Sequence, residues 1–175
     1  MTDAFTTFDT AVGACAVAWG PGGITGVQLP EGDEHATRVR MQRRFPEARR
    51  VAPPPAVEAA IGAMQALLRG ETTDLTAVAV DLDAVDDLAR RVYAVARTIP
   101  AGATLSYGEV ADRMGEPRLT REVGRALADN PVPIIVPCHR VLAAGGRIGG
   151  FSANGGITMK LRLLAIEGAL LTGAS

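Results

Sequence analysis

The stretch NPVPIIVPCHRV, residues 130–141, decides how this chain is read. Pro131, Pro133 and Pro137 each fix φ and bias the residue before them toward extended backbone. Between them Val132, Ile134, Ile135 and Val136 add β-branched bulk, so the run reads as a stiff, buried, extended arm. The arm delivers Cys138 and His139 together. A thiol becomes a nucleophile only as thiolate, which needs a nearby base or positive charge and a rigid seat. Cysteine is also a common small apolar filler. Adjacent residues on an extended chain face opposite ways, so the pair needs a local turn or a bridging water to cooperate.

Downstream lies GGRIGGF, residues 145–151, followed by Ser152, Ala153, Asn154 and two more glycines. That density of glycine predicts a loop whose backbone approaches a ligand closely. A closing helix over Ile157–Gly168 carries Leu161, Leu164 and Ile166 and ends at Glu167-Gly168. Upstream, Ser106 with Glu109 three residues on is a capping box, opening a short helix to Met114. After a turn at Gly115-Glu116-Pro117, a second helix spans about Leu119–Asp129. Two short helices joined by such a turn form a helix-turn-helix pattern.

Pro100-Ala101-Gly102 breaks the chain ahead of that pattern and marks a boundary between two subdomains, 1–98 and 99–175. Before it, Val85–Ile99 reads as an amphipathic helix with Asp86 and Asp87 in its first turn. Leu75–Leu82 alternates as a strand. Val57, Ile61, Met64, Leu67 and Leu68 recur at helical spacing after Pro53-Pro54-Pro55, and Gly70 stops them. Glu34–Phe45 suits a helix whose basic face, with Arg40, Arg43 and Arg44, reads as solvated. Residues 9–29 read as a β-hairpin or meander.

The chain has 175 residues, 47% of them hydrophobic and 21% charged, as in an ordinary soluble globular protein. Two cysteines, Cys15 and Cys138, are too few for a disulfide framework and fit a reducing, cytoplasmic setting. No apolar run approaches a membrane span, and the polar start MTDAFTTFD is no signal peptide. Net charge is −1, but residues 1–100 carry 10 arginines against 13 acids, and residues 101–175 carry 8 basic residues against 6 acids. The positive balance of the second half has the sign expected for contact with phosphates. No metal is called for: Cys15 and His35 could be two ligands, whereas structural zinc sites take four.

Residues 137–141 (PCHRV), Asn130-Pro131 before them, 106–109 (SYGE) and 163–168 (LLAIEG) together resemble the O6-alkylguanine-DNA alkyltransferases, the methylated-DNA–protein-cysteine methyltransferases. The resemblance is strong from about Ile99 to Gly168 and looser over residues 8–98. It implies an α+β fold, with an N-terminal αβ subdomain on a small antiparallel sheet and a C-terminal helical subdomain holding the helix-turn-helix and the thiol. It implies direct-reversal repair of double-stranded DNA. A guanine alkylated at O6 is flipped out, and its alkyl group passes irreversibly to Cys138, with thymine O4 left open as a second substrate. The thioether formed cannot be hydrolysed, so one molecule repairs one lesion without a cofactor. Extruding a base costs a few kcal/mol, less for a damaged one.

Carried over, Cys138 resembles the alkyl acceptor, His139 the water-bridged base and Glu167 its orienting carboxylate. The residues alone leave Glu122 and Asp129 open as alternatives to Glu167. Tyr107 resembles the tyrosine that donates to the guanine ring and crowds the phosphate. Arg121 resembles the arginine that fills the emptied stack, and Gly124 is one of the small residues that let the second helix approach a minor groove. Asn130 resembles the hinge asparagine. The carbonyls of Cys138 and Val141 resemble acceptors for the base's amino group, and the Ser152 amide a donor to O6. Phe151 stands where some relatives carry tyrosine, and Glu122 and Arg125 depart from the usual small residues. A monomer is expected, with cooperative binding on DNA left open. The competing reading is an alkyltransferase-like protein that binds the lesion without transfer. A DNA-binding regulator and a cysteine hydrolase rank below it.

Overall fold

The computed structural model describes residues 1–151 and 155–169. It divides into two compact units. One comprises residues 1–82 with 131–133, and the other residues 83–130 with the chain from Ile134 onward.

The first unit is built on an antiparallel meander, β1 (Ala4–Thr10), β2 (Gly13–Gly20) and β3 (Gly23–Gln28). A short strand β4 (Arg49–Arg50) adds a parallel pairing to β1, giving the order β3-β2-β1-β4. Helix α1 (Glu34–Arg44) is capped by the Asp33 side chain, which accepts from the Ala36 amide. It packs its Met41 against Phe5, Ala16, Ala18 and Ala48, with Phe45 at the margin. Helix α2 (Pro55–Leu68) starts with proline in its first turn, where no amide partner is lost. It is followed by Gly70 at φ 89, the left-handed turn that ends many helices.

Two expectations fail in this unit. Leu75–Leu82 is not a strand: only Val80 makes an isolated bridge, to Ile24. The Asp74 side chain accepts from the Thr76 amide and Val78 donates to Leu75 O, so local turns take the groups a ladder would need. Nor is the α1 basic face wholly solvated. Arg44 donates to Val27 O at 2.8 Å and to Pro131 O at 3.0 Å, while the Val27 amide also bonds Pro131 O. These bonds fasten Pro131–Pro133 to the first unit.

The second unit begins with α3 (Asp87–Ala96), whose N-cap Asp86 accepts from the Ala89 amide. The division at Leu82/Asp83 falls ahead of the expected boundary at 98/99, because α3 packs on α4 (Tyr107–Arg113) and α5 (Thr120–Ala128). The buried Tyr93 hydroxyl donates to Ala126 O at 2.6 Å and locks α3 to α5. Ser106 and Glu109 form the expected capping box at the start of α4. α4, a 3₁₀ turn at Pro117–Leu119 and α5 make the helix-turn-helix. β5 (Leu105–Ser106) pairs in parallel with β6 (Val141–Leu142), and α6 (Gly156–Ile166) closes the unit.

The proline-rich arm is not extended throughout. Ile134 sits at φ 75, which a β-branched side chain rarely adopts. Such a residue costs on the order of 1–3 kcal/mol and persists only where its surroundings enforce it. Here Asn130 Nδ2 donates to Val136 O at 2.8 Å, which closes the chain on itself and forces the residues between to turn.

Candidate active site

The two-residue ladder of β5 and β6 pairs Leu105 with Val141 and Ser106 with Leu142. It sets the start of α4, where Tyr107 stands, beside the chain leaving the Cys-His pair. Cys138–Arg140 itself forms a 3₁₀ turn, so the local turn that the sequence required is present. The Cys138 amide donates to Val136 O at 2.8 Å, and the Asn130 side chain hydrogen-bonds the Cys138 sulfur.

Cys138 is 8% exposed and lies on the wall of a cavity of about 410 Å³. Small-molecule pockets span about 300–1,000 Å³. Tyr107 from α4, Gly124, Leu127 and Ala128 from α5, and Gly150 and Phe151 from the glycine loop line the rest. Gly149, at φ 71, brings that loop against Tyr107: a Cβ there would stand 2.9 Å from the phenol oxygen.

Behind the thiol, His139 Nε2 lies 2.9 Å from Glu167 Oε1. Arg140 donates through Nε to the same oxygen at 2.9 Å and through Nη2 to Oε2 at 2.6 Å, while its Nη1 reaches Ile99 O at 2.7 Å. Burial alone would raise the Glu167 carboxyl, but the hydrogen bonds from His139 and Arg140 prevail and hold it at about 2. Burial pushes the His139 imidazole below its ordinary value, with Glu167 pulling the other way. A neutral ring facing a carboxylate carries its proton on Nε2, which leaves Nδ1 as the acceptor. Nδ1 is buried and has no hydrogen-bond partner among the described residues. Glu122 and Asp129, the other carboxylates considered, lie on and just after α5; the partner of His139 is Glu167.

Burial pushes the Cys138 thiol up, opposed by the Asn130 hydrogen bond, the charge of Lys160 and the two local amides. Cys15 in β2 is pushed up to about 11 by burial, with only Thr10 opposing. The cation and amides distinguish Cys138 as the thiol with a means of ionising.

Arg121, Gly124 and Ala128 follow helical spacing along α5, and Arg121 and Ala128 are exposed. Arg121 does not line the cavity but shares a face with two residues that do. Val141 O accepts from Lys160, and Cys138 O from the Val141 amide. Ser152 lies outside the described residues.

The sequence reading missed Lys160, Arg140 and Gly149. Lys160 was detectable: it interrupts the buried stripe of Met159, Leu163 and Leu164 on α6.

The family model "6-O-methylguanine DNA methyltransferase, DNA binding domain" matches residues 87–169. A methylated-DNA–protein-cysteine methyltransferase of Methanothermobacter thermautotrophicus is 34% identical over 157 residues, 90% of this chain and 81% of the relative. The chain belongs to the methylated-DNA–protein-cysteine methyltransferase family. A methyltransferase of the same name from Mycobacterium bovis is 44% identical over 114 residues, 65% of this chain and 67% of the relative. The crystal structure of Mycobacterium tuberculosis OGT in complex with DNA superposes with a TM-score of 0.75 at 35% identity, covering 94% of this chain and 92% of that one. Membership of this methyltransferase family accounts for the α+β fold. No described helix is long and apolar enough to cross a membrane.

Proposed function

We propose that this chain repairs O6-alkylguanine in duplex DNA by moving the alkyl group to Cys138, once per molecule. The observation that carries the reading is Cys138 on the wall of a purine-scale cavity, backed by the His139–Glu167 pair.

Glu167 stays ionised and accepts the Nε2 proton of His139, so Nδ1 is free to take the thiol proton, directly or through one water. The thiolate attacks the alkyl carbon. The new S–C bond forms as the C–O6 bond breaks, and the electron pair leaves on guanine. Tyr107 stands across the cavity and supplies a phenol proton toward the departing base. Its own ionisation is pushed up by burial and by Cys138, so it is a protonated donor at neutral pH. The product is a thioether with neutral guanine, and no water can undo it.

The helix-turn-helix brings α5 to the DNA. Gly124 and Ala128 allow close approach, and Arg121 occupies the gap left by the flipped base. Asn130 holds the chain after α5 in the turn that presents Cys138. A reducing compartment such as the cytoplasm keeps the thiol available.

The test is stoichiometry. With duplex containing O6-methylguanine in excess, the reading requires one lesion lost per protein molecule and then arrest. Continued turnover, or tight lesion binding with no loss of methyl, would overturn it.

A further inference from the structure

Lys160 is 1% exposed, which is costly for an ammonium unless its donors are used. Nζ donates to Val141 O at 2.7 Å and to Gly150 O at 3.2 Å, and lies 5.8 Å from the centroid of the Tyr107 ring. An ammonium has three donors. One group therefore ties together three parts of the cavity: the strand leaving Cys138, the glycine loop that forms one wall, and the phenol opposite. We propose that Lys160 is a positioning residue for alkyl transfer, fixing the Gly150–Phe151 wall against Tyr107 and placing a positive charge behind the Cys138 sulfur. It does not touch the base.

The charge is present when needed. Burial lowers the Lys160 ammonium to about 8, while Cys138 pulls it back up, so it remains largely protonated at neutral pH. Cys138 is faced by Lys160 from α6, Tyr107 from α4, Tyr93 from α3, Asn130, and His139 within its own turn. Both tyrosines are pushed up by burial and His139 is pushed toward its neutral form. Lys160 is the one of these groups that is positively charged at neutral pH.

This inference rests on the transfer reading, and its test is read without DNA. On the full chain, the rate of Cys138 modification by iodoacetamide is measured from pH 6 to 10 for wild type, Lys160→Met and Lys160→Gln. A single charge of this kind shifts reactivity by about tenfold. Both variants are expected to react about tenfold more slowly at pH 7.5, with the profile displaced to higher pH. Gln keeps a donor for the carbonyls, so it should bind free O6-benzylguanine better than Met while sharing the displaced profile. Profiles that coincide with wild type overturn the proposal. Failure of both variants to fold also overturns it, leaving Lys160 a structural residue. Wild type that reacts with iodoacetamide but takes no methyl from DNA would sink the transfer reading alone.

Discussion

His139 Nε2 and Glu167 Oε1 are 2.9 Å apart, at exposures of 1% and 3%, and the same carboxylate also accepts from Nε and Nη2 of Arg140. Glu167 thus serves two roles: it fixes the imidazole tautomer and it neutralises a buried guanidinium. The second role bears on stability, and under the proposed transfer the first bears on reactivity.

Glu167→Gln removes both at once. Breaking a buried pair from one side costs about 3–5 kcal/mol because a charge is left unpaired. Denaturation at pH 7 should show that loss, and the surviving folded fraction should transfer methyl far more slowly. The sign of the acid dependence follows. The carboxyl is held at about 2 against an ordinary 4.5, so its stabilisation is full above 4.5 and drains away as pH falls toward 2. The stability gap between wild type and variant should narrow between pH 5 and 3. A gap that stays constant would contradict the pairing.

Gly149→Ala asks for a side chain at φ 71 and sets a Cβ 2.9 Å from the Tyr107 oxygen. The loop must withdraw or the ring must rotate. Reaction with free O6-benzylguanine should slow by about tenfold for about 1–2 kcal/mol of stability. Unchanged kinetics would show that the loop does not set the cavity shape.

Arg121→Ala removes an exposed residue of α5 that does not line the cavity. Repair of duplex should fall much more than reaction with the free base, since only duplex needs a stack filler. Equal losses in the two assays would exclude that role. Wild-type duplex affinity should also fall with added salt as phosphate contacts release counterions.

Local chemistry made much of this fold legible. The Ser106–Glu109 box, the Asp residues opening α3 and Gly70 after α2 each announce a helix end through nearest neighbours. The Cys138–His139–Glu167 set was legible through resemblance, because residues 137–141 and 163–168 meet only in space. What escaped depends on distant partners. Nothing near Arg44 says that it reaches Pro131 O, and nothing in the arm says that Asn130 will bond Val136 O and turn Ile134 over. Leu75–Leu82 has a strand's alternation, but Asp74 competes locally, and Leu75 is the one buried residue of the segment, which leaves little burial to hold a ladder.

The central claim is that the Cys138 sulfur takes the alkyl group. Intact mass followed by peptide mapping, after incubation with O6-methylguanine duplex, tests it most directly. The account predicts one added methyl on the peptide carrying Cys138, and none on Cys138→Ser, which should still bind the duplex. A methyl on Cys15, or an unmodified protein beside repaired DNA, would contradict it.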